Sequence, residues 1–510
     1  MTVNVTTTGN GRFSLTGDQS DVIVSYSMSE SASPINVADL SGEIPSMSIV
    51  GLSNSVQTLG NTHPSSRLLI DNQITLTDSL RGSFTGKVGN LTIDPQSVSV
   101  DVFSKFDKLN VTKKMTAHVG TLKSAFEAWF AEAGLVSGDY NVDSSLTESV
   151  AFPSWKDSIW NGFKQLCVAS NTEMFFQGAT IYVKPRATKT AKIENITSES
   201  FSINLGENAK TTKFTLGKSK ATTNGIVFAY GTEDSAESIN VLETKDVILT
   251  SKVSLTSINQ PENIDEGFPE YKDFIDPSNI GEVPLGSYTN GFYAFRDSDG
   301  VIVDTDRVAL LGASVTVALG DEPFEIKLKI VGPNTSEKAP WTLEFSDNYP
   351  ALGLTGTGVV VENLEITTQT GSSEGDSENE YSGNPFLINY KYFWNTVHYT
   401  NQSVCGPVIS FNFSTDKIAE AAGQEFGFTP GVIFEYNGSK YRIKTASYDY
   451  GSLQITAEQY VTFADFNTLW SVGDKKFTDF NATMLDPTTY PNDFMKYSDF
   501  AILPLMEPTA

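Results

Sequence analysis

Cysteine and histidine are scarce in this 510-residue chain: it has only Cys167 and Cys405, and only His63, His118 and His398. Two thiols exclude a disulfide framework and a thiolate metal centre, and no histidine has a second ligand at helical or hairpin spacing. Basic residues are also few. Lys and Arg number 35 against 61 Asp and Glu, a formal charge of −26, so the chain as a whole repels phosphates and does not suit a nucleic-acid grip. No apolar run approaches the ~18 residues that a membrane helix needs. The N-terminus, MTVNVTTTGNGRFSLTG, has neither the basic start nor the apolar stretch of a secretory signal. The expectation is a protein made in a cytoplasm with free thiols, in which the triplets Asn90-Leu-Thr and Asn110-Val-Thr have no role as glycan acceptors.

What is abundant points to packed β structure. Apolar residues make up 39% of the chain, with 32 Phe, 19 Tyr and 6 Trp, far too many aromatics for a solvated coil. At roughly 100–200 residues per domain the length suits three or four units. Thr, Val, Ser, Ile, Phe and Tyr dominate long stretches broken by Gly, Asn and Asp, the composition of strands and turns. Asp21-Val-Ile-Val-Ser-Tyr-Ser, Arg67-Leu-Leu-Ile-Asp, Ser83-Phe-Thr-Gly-Lys-Val and Ser97-Val-Ser-Val-Asp-Val-Phe103 all read as strands, in an all-β unit over about the first 110 residues.

The period changes after Thr121. Leu122, Ala125, Phe126, Trp129, Phe130 and Ala133 predict a helix that stops at Gly134. A second helix is expected from Ser154 as N-cap, with Ile159, Phe163, Leu166 and Cys167 on one face. Strands return after Lys184. Residues 233–282 are acidic and poor in pattern, apart from Val247-Ile-Leu-Thr, and read as a long loop. A β stretch is expected from Gly291 to about Thr368. The run Gln369-Thr-Gly-Ser-Ser-Glu-Gly-Asp-Ser-Glu-Asn-Glu380 has no apolar residue and reads as a flexible linker. Val432-Ile-Phe-Glu-Tyr-Asn437-Gly438-Ser-Lys-Tyr-Arg-Ile443 predicts a hairpin with a type I′ turn. An internal echo links Asp94-Pro-Gln-Ser97-Val-Ser-Val with Asp449-Tyr-Gly-Ser452-Leu-Gln-Ile. It arises either from duplication or from the frequency of Asp-x-x-Ser turns in β proteins.

Motifs that could carry chemistry fail on context. Gly217-Lys218-Ser219 has Thr212 where a phosphate loop needs its first glycine, and a strand-like segment follows. Asp297-Ser-Asp299-Gly300, with Asp304 and Asp306, departs from a calcium loop and reads as a hairpin turn. Gly371-Ser-Ser373-Glu-Gly375 lacks the helix that a nucleophile elbow requires. His118 and His398 read as structural, and Cys167 as core. Trp155 and Trp160 could stack a sugar or anchor a helix on its sheet. No catalytic, cofactor-binding or metal-ligating residue is assigned, and the chain is not expected to be an enzyme.

One block is similar to a known family. Leu91-Thr-Ile-Asp-Pro-Gln-Ser-Val-Ser-Val, Lys108-Leu-Asn-Val and Gly120-Thr-Leu-Lys-Ser-Ala-Phe-Glu resemble the baseplate hub, or minor tail, proteins of long-tailed (siphovirus-like) bacteriophages, especially those of actinobacteria. So do Phe152-Pro-Ser-Trp155-Lys-Asp-Ser-Ile-Trp160-Asn-Gly-Phe-Lys-Gln-Leu-Cys167 and Thr172-Glu-Met-Phe-Phe-Gln-Gly-Ala-Thr-Ile-Tyr-Val-Lys-Pro185. The match is strongest over residues 90–186, and looser from Tyr436 to Asp465.

The resemblance implies a mainly β fold with a small α/β insert, two related β-barrel domains and an additional β domain. The chain then divides into 1–110, a β-barrel domain; 111–190, a small α/β domain with two helices; and 191–290, β-barrel strands with an acidic loop. Residues 291–385 form a β-rich inserted domain ending in the acidic linker, and 386–510 complete the second barrel and the C-terminal segment. It further implies a homotrimeric ring in the virion tail tip, between the tail tube or distal tail protein and the tip or fibre proteins, through which genomic DNA passes without specific binding. A tail-tip adhesin for a host glycan or protein and a cell-wall hydrolase are the alternatives.

Overall fold

The computed structural model describes residues 4–8, 23–31, 43–52, 73–78, 82–94, 97–177, 179–186, 190–191, 198–204, 209–223, 226–229, 237–250, 253–258, 260, 262–263, 292–345, 351–354, 356–369, 377–387, 408–415, 430–449 and 452–459. The fold is mainly β with few helices. Its largest sheet has twelve strands. In chain order they are β1 (Asn4–Thr8), β2 (Ile23–Ser31), β3 (Ser46–Leu52), β4 (Gln73–Asp78), β5 (Gly82–Ile93), β6 (Ser97–Ser104), β7 (Thr190–Ala191), β8 (Ser198–Asn204), β9 (Val408–Thr415), β10 (Ile433–Tyr436), β11 (Ser439–Asp449) and β12 (Ser452–Gln459).

The first six lie in the order β1-β4-β5-β6-β3-β2, and the last six in the order β7-β10-β11-β12-β9-β8. Each strand thus has a counterpart six places later. The match extends to register. The hairpins β5–β6 and β11–β12 turn at Asp94–Ser97 and Asp449–Ser452, the two ends of the sequence echo. With Ser97 set against Ser452, both hairpins have a β-bulge at the same point, between Val88 and Asn90 and between Ile443 and Thr445. Buried side chains coincide as well: Val88 with Ile443, Val100 with Ile455, Val102 with Ala457, Met47 with Phe411 and Ile49 with Phe413. The bulge residues themselves differ. A Cβ on Gly89 would sit 2.0 Å from the Phe103 ring, whereas Lys444 turns its ammonium to Glu458 at 2.9 Å.

Two departures qualify the match. β7 has two residues and runs parallel to β10, whereas β1 is antiparallel to β4. Among the described residues no pairing joins β1 to β2 or β3, or β7 to β8 or β9, so no closed barrel is detected among them.

Between β6 and β7 the chain forms the α/β unit. Helix α1 (Leu122–Glu132) opens with a capping box in which Thr121 Oγ1 accepts from the Ser124 amide and Ser124 Oγ accepts from the Thr121 amide. Helix α2 (Ile159–Ser170) is capped by Ser158, and Asn171 ends it in the left-handed region at φ 52°. The N-cap expected at Ser154 is therefore displaced by four residues. Trp155–Ser158 form a strand with Thr112–Met115 first, and the buried Ser154 amide donates to Ser254 Oγ at 2.7 Å. The apolar stripes of both helices meet in one core, where Phe163 stacks on Phe126 at 6.0 Å and on Phe130 at 4.5 Å.

Between β8 and β9 lies the largest insertion. Its long strands Ala209–Thr223 and Gly356–Gln369 pair antiparallel and lead to a separate core around Phe295, Leu328 and Trp341. The acidic stretch read as a loop contributes strands at 237–239, 244–250 and 253–258. The piece set apart as strand-like, Val247-Ile-Leu-Thr, lies in the second of these, where only Leu249 is buried. The polar run read as a linker becomes a strand at Ser377, parallel to Ala209–Lys218. Its anchor lies just downstream, where Phe386 is fully buried against Trp129 and Phe152 of the α/β unit.

Phe163 is the shared ring of the helical core. Phe163→Ala is expected to lower the stability of the α/β unit by about 3–5 kcal/mol. Tryptophan fluorescence during urea unfolding reads it, and a cost below about 1 kcal/mol would contradict this packing.

Candidate assembly interface

The two six-strand units meet where β2 pairs antiparallel with the second half of β11, Ser27 opposite Asp449 through Ser31 opposite Thr445. β10 pairs with the first half of β11, so β2 continues along the same edge. The alternation of β2 puts Tyr26, Met28 and Glu30 on the inner face, all nearly inaccessible. One core then runs through both units, from Ile74 and Phe84 to Phe411 and Leu453. A groove of about 390 Å³ crosses the other side of the seam, lined mainly by Ser27, Ser29, Ser46, Ser48 and Ser447 with Asp101. Hydroxyls and one carboxylate give it no acid–base pair.

The α/β unit is tied to both neighbours. Glu173, on its strand Thr172–Gln177, faces Arg442 of β11 at 3.8 Å, both side chains buried. Toward the inserted domain, Lys114 donates to the Gly320 carbonyl and Lys156 pairs with Glu322. Burial lowers the Lys114 pKa, against the attraction of Asp321, Glu325, Glu132 and Glu322. Asn384 reaches across from the insertion to the Gln165 carbonyl at 3.0 Å.

The residues singled out in the sequence are dispersed. His118 Nε2 lies 2.9 Å from Ser124 Oγ at the α1 cap, and burial holds its pKa below the usual imidazole value. Cys167 is fully buried. Trp155 Nε1 donates to the Ser158 carbonyl and its ring packs on Phe386 at 5.4 Å, while Trp160 lies against Phe176 at 5.5 Å. Both anchor α2 rather than form a sugar platform. Gly217-Lys218-Ser219 sits mid-strand opposite Asn363, Glu362 and Val361. His63, His398, Cys405 and Gly371–Gly375 lie outside the described residues.

Asp297-Ser-Asp299-Gly300 is a tight turn with Gly300 at φ 79° and Arg296 bridged to Ile302. Asp297 accepts from the amides of Asp299 and Val301, and the Lys338 ammonium sits 3.2 Å from Asp297 and 3.1 Å from Asp299. A lysine fills the position that a bound cation would take. Among the described residues no group of three or more His, Cys, Asp or Glu side chains could hold a metal ion, and no helix is long and apolar enough to cross a membrane.

No family model and no curated protein matches the chain. Among solved structures it is similar to a 43 kDa tail protein of prophage MuSo2 from Shewanella oneidensis, at 8% identity and TM-score 0.42, covering 90% of this chain and 98% of that one. It is also similar to prophage tail protein gp18 from Listeria monocytogenes, at 11% identity and TM-score 0.41, covering 92% and 99%. A tail protein from Neisseria meningitidis aligns at 7% identity and TM-score 0.40, covering 90% and 96%.

Burial alone would raise the Asp297 carboxyl, but the Val301 amide, the Lys338 ammonium and the Asp299 amide together hold it below the usual range. A lowered folded pKa means that the stabilisation is complete above the unfolded value of about 3.9 and is lost as pH falls through the folded one. Asp297→Asn is therefore expected to be less stable than the parent at neutral pH and to converge with it in acid. Urea titrations across pH measure the gap, and a constant gap would rule out this assignment.

Proposed function

We propose that the chain is a structural tail component of a bacteriophage: a baseplate hub that assembles as a homotrimeric ring between the tail tube and the tip. The observation that carries this reading is the duplicated strand plan, with equal order, bulge position and buried residues in both units. Three such chains present six similar units, which lets a threefold ring dock on a sixfold tube. Most of the segment with the family resemblance, from Phe106 to Val183, supports the reading by folding around one core as the piece that joins the two units. The charge of −26 suits a wall along which DNA must move without being held, because fixed negative charge repels phosphates. The work of such a protein is shape and contact, and it calls on no catalytic group, cofactor or metal.

Sedimentation of the purified protein across concentrations tests the reading. The expected species has three times the 55.5 kDa chain mass, with a central hole in negative-stain images. A monomer at every concentration that also binds a glycan array would move the assignment to an adhesin. A clearing band on bacterial wall, abolished by one Glu→Gln change, would replace it with a hydrolase.

A further inference from the structure

The seam between the two units has no equivalent at the chain's other ends. β2 is held by the second half of β11, beyond the end of β10. In the first unit the corresponding stretch of β5 is Val88–Ile93. β4 pairs only with Gly82–Lys87, and among the described residues no strand takes up the edge beyond it. The counterpart of β2 is β8, which pairs with β9 along one edge and with no strand along the other among the described residues. Among the described residues, each chain therefore offers one β2-like strand without an acceptor and one β11-like acceptor without a strand.

Burial reflects the same asymmetry. Through the registers with β3 and β9, Tyr26, Met28 and Glu30 correspond to Glu199, Phe201 and Ile203. Met28 is 2% exposed and Glu30 4%, whereas Phe201 is 48% exposed and Ile203 61%. Phe201 stacks on the buried Phe411 at 4.5 Å, so these side chains lie on the core face of the sheet and are open only where β2 has β11 beside it. An unpaired edge carrying exposed apolar residues is a template for another strand.

We propose that β8 of one copy pairs antiparallel with Val88–Ile93 of β5 in a second copy, repeating between chains the joint that β2 makes with β11 within one. The internal register transfers directly: Ser29 opposite Ser447 becomes Ser202 opposite Thr92, with Phe201 opposite Ile93 and Ile203 opposite Leu91. The joint is heterologous, head to tail, so repetition closes a ring or extends a filament. It follows from the duplicated strand plan and stands apart from the tail reading.

The test places S202C and T92C in one chain with Cys405 replaced by serine; the remaining Cys167 is fully buried. Mild oxidation is expected to give a ladder of reducible multimers, a mixture of the two single variants to give dimers only, and each single variant alone to give neither. Ile203→Lys, at an exposed site, is expected to shift sedimentation to the single chain while circular dichroism and melting stay unchanged. An oligomer that forms without the ladder and survives Ile203→Lys overturns this joint and leaves oligomeric assembly intact. A single chain at all concentrations, with no ladder, overturns both.

Discussion

An unpaired strand edge cannot be hidden by side chains alone, because its N–H and C=O groups need partners. The pairing of β2 with β11 answers that need once within this chain, and much of the architecture depends on it. It makes two six-strand units into one sheet, buries the inner face of β2, and lets one apolar core run through residues that lie far apart in sequence. The α/β unit then packs against a continuous sheet, with Glu173 reaching Arg442 on the strand that receives β2.

Side chains that often carry chemistry are here occupied in holding elements in place. His118 meets the hydroxyl that caps α1, Asp297 and Asp299 close a turn around Lys338, and Trp155 and Trp160 fix α2. The His118 ring, the Asp297 carboxylate and the Trp155 indole N–H each meet a local partner, as burial demands of polar groups.

The sequence was most legible where local physics decides the outcome. α1 follows from its apolar spacing and its capping box, and the Asn437-Gly438 turn from the positive φ of both residues, 49° and 77°. The Asp94 and Asp449 echo marks equivalent hairpins because both turns begin at the same point beyond a shared bulge. It was least legible where a distant partner decides. Ser154 looks like a cap but is claimed by Ser254, a hundred residues away, and the cap passes to Ser158. Ser377–Glu380 has no apolar residue to announce a strand, yet Phe386 downstream and the strand from Ala209 beside it impose one. The inner face of β2 reads as an ordinary half-buried strand, and nothing in its residues names β11 as the partner.

The insertion between β8 and β9 has a consequence for the order of synthesis. The first unit and the α/β unit leave the ribosome as consecutive stretches and can condense domain by domain. β8 leaves soon after them, but its partner β9 and the hairpin β11–β12 follow only after the whole insertion has been made. Closing so long a loop adds little equilibrium cost, because that cost grows only logarithmically with length. It does add time. The second unit is complete only once β9, β11 and β12 have followed the insertion, so the distance between two adjacent strands works as a clock for the folding of that unit.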